Sequence, residues 1–169
     1  QNIKKLKEPK GRTRILSERE RINLIKSCEA IKKYPEMTPI VLLAITTGMR
    51  RGEILNLRWA DIDFRRQKIV IWNTKNDETR HVPLVGPALS AIRKWSKIRP
   101  IDNAALLFPS QVKGNSQNNF HLDHAWRLVK CSAGLTDFRF HDLRHTAASY
   151  LAKNGAGLRE IADILGHKS

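Results

Sequence analysis

Cysteine, tyrosine, acidic residues and long apolar runs are all scarce in these 169 residues. The two cysteines, Cys28 and Cys131, are isolated, which excludes a disulfide framework or a cysteine-rich zinc site. A reducing, cytosolic setting is the expectation. The longest unbroken apolar run is Ile40 to Ile45, far short of the roughly 18 residues of a membrane span. No charged, apolar, small-residue series opens the chain, which argues against a signal peptide. The first residue is Gln1 rather than Met, so a fragment or a processed product is expected. Only Tyr34 and Tyr150 carry a phenol. Acids number 16 against 31 Lys and Arg, a net charge of +15. Solubility calls for a magnitude of only about 2–8. The excess predicts a polyanionic partner, and without a basic amphipathic helix, nucleic acid leads over a membrane surface.

A length of 169 suits one domain, and a 41% hydrophobic fraction supports a core. Residues 1–16 read as a basic arm; its first 14 hold six cations against the single acid Glu8. Pro9 and Gly11 oppose a helix there. Ser17 and Glu20 form a capping box that opens a first helix, with Ile22, Ile25, Cys28 or Glu29, and Ile31 at helical spacing. Pro39 begins a second helix, apolar nearly all round, which Gly48 stops. A third runs over about Gly52–Leu57. Ile62 and Phe64, Ile69 and Ile71, then His81, Val82 and Leu84 predict three short antiparallel strands. A helix over Pro87–Ile98 presents Leu89, Ile92 and Trp95. Residues 99–119 are the loosest segment, anchored by Leu106-Leu107-Phe108. Further helices are predicted at about 121–133, 141–153 and 158–165, which makes the fold α+β and mainly helical.

Four constellations bear on chemistry. In Thr47-Gly48-Met49-Arg50-Arg51-Gly52-Glu53, glycines flank two arginines and let backbone approach an anion. Glu53 follows Arg50 by three residues and can orient its guanidinium. In His141-Asp142-Leu143-Arg144-His145, helical geometry puts Leu143, Ala147, Tyr150 and Leu151 on a core face. His141, Arg144, His145 and Ala148 fall on the opposite side. In Leu158 to His167, Leu158, Ile161, Ile164 and Leu165 make a core face, Gly166 caps, and His167 follows. Lys75 lies at the second hairpin turn, Thr74 to Glu78.

Together, in this order, these pieces resemble the catalytic domain of tyrosine recombinases, the phage-integrase family. The resemblance runs from about Ser17 to the last residue, so that 17–169 reads as the catalytic domain. Thr47-Gly48-Met49-Arg50 through Glu53-Ile54-Leu55-Asn56-Leu57-Arg58-Trp59-Ala60-Asp61-Ile62 looks like the first family box, and His141-x-x-Arg144 like the second. The resemblance implies a mainly helical catalytic fold with a small three-stranded antiparallel sheet. It implies metal-free and cofactor-free cleavage and rejoining of double-stranded DNA through a 3′-phosphotyrosyl intermediate, in phage or mobile-element integration and excision. It assigns Arg50 and Arg144 to the charge on the transition-state oxygens. His141 and His167 would bond the same phosphate or assist proton transfer. Lys75 would be the general acid for the leaving 5′-oxygen, and Glu53 a supporting acid. Arg51, His145 and Lys168 are further expected DNA contacts. The family works as a tetramer on DNA, here in a bacterial cytoplasm. Its nucleophile should follow His167 by a turn or two of helix. Neither Tyr34 nor Tyr150 fits that position, so the fragment alone is expected to be inactive and monomeric.

Two other readings use the same residues. One is a non-catalytic DNA-binding protein with the same basic cleft. The other is a metal hydrolase on His141 and His145, disfavoured because Arg144 would sit beside the cation and no third ligand is indicated.

Overall fold

The computed structural model describes residues 14–73, 78–99 and 101–166. Lys75, His167, Lys168, the turn centred on residues 74–77 and most of the basic arm lie outside the described residues. Seven helices and a three-stranded sheet are described. They are α1 (Glu18–Ala30), α2 (Met37–Thr47), α3 (Arg51–Leu55), β1 (Ile62–Asp63), β2 (Lys68–Asn73), β3 (Glu78–Pro83), α4 (Gly86–Ile98), α5 (Leu122–Ser132), α6 (Asp142–Lys153) and α7 (Leu158–Leu165).

The Ser17–Glu20 capping box forms as expected, with the Ser17 hydroxyl accepting from the Glu20 N–H at 3.2 Å and Glu20 accepting from the Ser17 N–H at 2.8 Å. Arg14 also pairs with Glu20 and holds that carboxyl down to about 2. The buried side of α1 differs from the expected one. Leu24, Ser27 and Cys28 are covered, whereas Ile22 faces solvent and Ile25 is half-buried. The stripe that meets α2 and α5 runs through 24, 27, 28 and 31, which is itself a helical spacing. Burial pushes the Cys28 thiol up to about 12.

α2 is the centre of the core. It packs against α1, α4 and α6, and Met37, Ile40, Val41 and Leu43 are wholly covered. It opens at Met37 rather than Pro39; the proline sits in the first turn, where its missing N–H costs nothing.

The sheet order is β1-β2-β3, antiparallel throughout. Ile62, Ile69 and Val82 form one row across it, all buried, so this face closes on the core. Leu84 stays buried just past β3, its N–H donating to the Gln67 carbonyl at 2.8 Å. Residues 101–119 carry little regular structure, yet Leu106, Leu107 and Phe108 are buried as expected. The Trp95 indole N–H donates to the Leu107 carbonyl at 2.8 Å and fixes that loop on α4.

Residues 14–16, grouped by sequence with the arm, pack on this body. Leu16 is buried and its N–H donates to the Thr146 hydroxyl at 3.1 Å. Among the described residues, no helix is long and apolar enough to cross a membrane.

Candidate active site

The pocket begins where α2 ends. Gly48 takes the left-handed conformation, φ +63°, and reverses the chain. A Cβ on Gly48 would run into Leu165 Cδ2 of α7, so that side chain would have to move to admit any other residue. The Thr47 hydroxyl donates to the Leu43 carbonyl at 2.5 Å and accepts from the Met49 N–H at 3.2 Å, which steers the exit. Arg50 then stands in extended conformation as the N-cap of α3. Glu53 closes the cap, Oε2 accepting from the Arg50 N–H at 2.7 Å. Its Oε1 accepts from the Arg50 guanidinium at 3.2 Å, the orientation that the three-residue spacing predicts. The other Arg50 amino group donates to the Gly166 carbonyl at 3.1 Å.

Arg144 reaches the same place from α6. Its placement on the side opposite the core face is corrected: only 5% of the residue is exposed. Its two amino groups donate to the Gly48 and Leu165 carbonyls, both at 2.7 Å. The reason is that α6 packs against both α2 and α7. Asp142, Leu143, Arg144, Thr146 and Ala147 are all buried, an arc of about 200° rather than one stripe. Tyr150 and Leu151, expected on the core face, are only half-buried. Leu158 is corrected more sharply. It opens α7 at 89% exposure, and Leu165 alone in that helix is buried.

Sequence reasoning missed Arg80, on β3. Its guanidinium donates to Glu53 Oε1 at 2.8 Å and to the Ile164 carbonyl. Arg50 and Arg80 thus share one carboxylate, and Arg144 feels its charge without bonding to it, leaving an excess of positive charge. Burial above all, then repulsion by Arg50 and Arg80 against the pull of Glu53, lowers the Arg144 guanidinium to about 10. It stays charged at neutral pH, but its charge is poorly solvated and under-paired, the condition in which an entering anion is favoured.

His141, the N-cap of α6, is exposed at its edge. Its imidazole is shifted down from the usual value by burial, then by His145, Arg144 and Arg50, with Asp142 opposing. A neutral imidazole beside two guanidinium groups can accept a proton or a hydrogen bond. His145 meets it edge to face, ring centroids 5.5 Å apart. Arg51 does not join the cluster: its guanidinium is bidentate to Asp123 of α5, at 2.7 and 2.9 Å. Among the described residues, no group of three or more His, Cys, Asp or Glu is placed to hold a metal ion. The His141–His145 metal reading therefore finds no third ligand among them.

The arrangement gathers three guanidinium groups beside one imidazole on a mainly helical domain with a small antiparallel sheet. The chain belongs to the phage integrase family, whose model matches residues 14–169. It is similar to the shufflon-specific DNA recombinase of Escherichia coli, 34% identical over 99% of this chain and 40% of that protein. The crystal structure of XerA recombinase superposes with a TM-score of 0.78 at 30% identity, over 95% of this chain and 58% of that one. The catalytic domain of bacteriophage HP1 integrase superposes with a TM-score of 0.70 at 25% identity, over 94% of this chain and 83% of that one. The chain spans about half the length of the curated relatives it matches. The α+β recombinase catalytic fold implied by the sequence is the fold observed.

Proposed function

We propose that this chain is the catalytic domain of a tyrosine site-specific DNA recombinase, acting in phage or mobile-element integration and excision. The observation that carries the reading is the convergence of Arg50 and Arg144 beside His141. Two guanidinium forks held by backbone carbonyls suit the non-bridging oxygens of a single phosphodiester, whose negative charge grows toward the transition state. The position of His141 favours a bond to that phosphate or a proton relay. In this reading Lys75 protonates the departing 5′-oxygen and His167 joins His141 at the phosphate. Glu53 orients Arg50, and His145, Arg51 and Lys168 approach neighbouring phosphates; for Arg51 this requires exchange from Asp123. Lys75, His167 and Lys168 enter from the resemblance and their sequence positions.

The nucleophile in this reading is a tyrosine from polypeptide outside these 169 residues. Tyr34 is occupied edge-on by Phe120 and His124, and Tyr150 lies beneath the Arg21 guanidinium. The phenolic oxygen bonds to phosphorus as the bond to the 5′-oxygen breaks, and the reverse step rejoins the strand. The reading includes duplex DNA as partner, a tetramer on that DNA, and a bacterial cytoplasm as the setting.

The test is the full gene product on a nicked suicide duplex, with covalent protein–DNA adduct as readout. Adduct is expected in the presence of EDTA, and Arg144→Ala is expected to lower its rate by about 100-fold or more. Tight DNA binding without adduct would replace this reading with the non-catalytic DNA-binding one.

A further inference from the structure

Arg80 stands where strand alternation calls for an apolar residue. Its cross-strand partner is Ile71, and the neighbouring Ile69–Val82 pair on that face is fully buried. Yet position 80 carries a guanidinium, its side chain only 18% exposed. A charge held on an inward face is costly unless it is paired and hydrogen-bonded. Arg80 is both, through Glu53 Oε1 and the Ile164 carbonyl. Its fork also lies against Gly166. A Cβ there would be 2.9 Å from Arg80 Nε and 3.1 Å from Cζ, and φ at Gly166 is +68°.

Three successive carbonyls at the end of α7 are therefore gripped by three arginines from three elements. Arg80 of β3 takes Ile164, Arg144 of α6 takes Leu165, and Arg50 at the start of α3 takes Gly166. These carbonyls have no partner within a helix, and they sit at the negative end of its dipole. α7 buries only Leu165, so these bonds are a main part of its attachment. Like Arg50 and Arg144, Arg80 commits both of its amino groups to protein groups. It also shares Glu53 Oε1 with Arg50, so it limits where Glu53 can hold Arg50.

We infer that Arg80 is a positioning residue, which locks Glu53 and the last turn of α7 in register so that Arg50 and Arg144 stay aimed at one anion. Only the identity of that anion as a DNA phosphate rests on the proposed function. Lysine should not substitute, because one ammonium nitrogen cannot span the carboxylate and the carbonyl in fork geometry.

The experiment uses this chain with Arg80→Ala, Arg80→Lys, Gly166→Ala and the Arg80→Ala/Gly166→Ala pair. Amide hydrogen exchange is read over residues 158–166 without DNA. Arg80→Ala should speed exchange there by about tenfold while α2 and α6 keep their rates. Arg80→Lys should restore little of the protection. Gly166→Ala should cost less in the Arg80→Ala background, since the steric part of its effect is then gone. Unchanged exchange in Arg80→Ala, or full rescue by lysine, overturns the inference. If Arg80→Ala does not fold, Arg80→Lys and Gly166→Ala decide it by the same readout.

Fluorescence anisotropy on a labelled duplex separates positioning from direct contact. Arg80→Ala should weaken binding with the salt slope unchanged. A slope lower by about one unit marks a phosphate contact and overturns the inference. Should the unaltered chain fail to bind duplex DNA, the phosphodiester reading falls, while the exchange experiment still decides the role of Arg80.

Discussion

α2 and α7 both end beside the pocket on a left-handed glycine, Gly48 and Gly166, and they are held there by different forces. α2 is wrapped by α1, α4 and α6, and most of its side chains are buried. α7 touches mainly α6, buries one residue, and is fastened through arginine-to-carbonyl bonds at its last turn. One wall of the site is thus set by the hydrophobic effect, which is non-directional. The other is set by charge-assisted hydrogen bonds, which are directional and sensitive to any competing anion. The lesson is a division of labour. The core fixes where Gly48 and the Arg144 backbone sit, and the polar contacts fix where α7 meets them.

The largest effects should separate the two walls. Ile40 is fully buried in α2, and Ile40→Ala should cost about 2–5 kcal/mol through lost burial and a residual cavity. For a chain of this size each kcal/mol lowers Tm by about 2–4 °C, so a fall of roughly 10 °C is expected. Leu158→Ala on α7 should stay within about 0.5 kcal/mol, because Leu158 is already in water. Thermal melts monitored by circular dichroism measure both. Equal losses at the two positions would break the comparison.

A smaller effect is expected where the walls meet. Gly48→Ala introduces a Cβ into Leu165 and forces an L-residue to φ +63°. Strain and overpacking together should cost about 1–3 kcal/mol. In a Leu165→Ala background the steric share should disappear, leaving about 1 kcal/mol from the left-handed backbone. Urea titrations of the four proteins give the coupling directly. Full additivity would mean that the contact between Gly48 and α7 carries no energy.

Much of this was legible in the sequence, for local reasons. The Ser17–Glu20 box, the Gly48 and Gly166 caps and the Arg50–Glu53 spacing depend on residues three or four apart, and all form. The three strands are legible from alternation and turn residues. What failed depends on neighbours distant in the chain. A single stripe puts Arg144 opposite the core face, because nothing local says that α6 has helices on two sides. Leu158 was assigned to the core by periodicity, but α7 is too lightly packed to cover its first turn. Arg80 could have been found. Two residues before Val82 on a half-buried strand, an arginine breaks the alternation, and such a break marks a charge with an internal partner. Whether Lys75 and His167 take their expected roles rests on their sequence positions.

The smallest expected effect reads two of the arginines that grip α7 through one group. His141 is lowered from its usual 6.5 by burial first, then by His145, then by Arg144 of α6 and last by Arg50 at the start of α3, with Asp142 opposing. A histidine whose folded value is depressed binds fewer protons folded than unfolded. Its contribution to stability is complete above pH 6.5 and is lost as pH falls through the folded value. Affinity for a phosphate runs the other way. An anion in the pocket favours the imidazolium, so binding should tighten over the same fall in pH while the fold weakens. NMR titration of the His141 ring proton reads the shift itself. Arg144→Gln should raise the midpoint more than Arg50→Gln, since Arg144 is the larger of the two contributions, and a saturating phosphodiester should raise it in the unaltered chain. A midpoint above 6.5 in the free chain would sink this account of the pocket's charge. A greater response to Arg50→Gln would reverse the ranking of the two arginines.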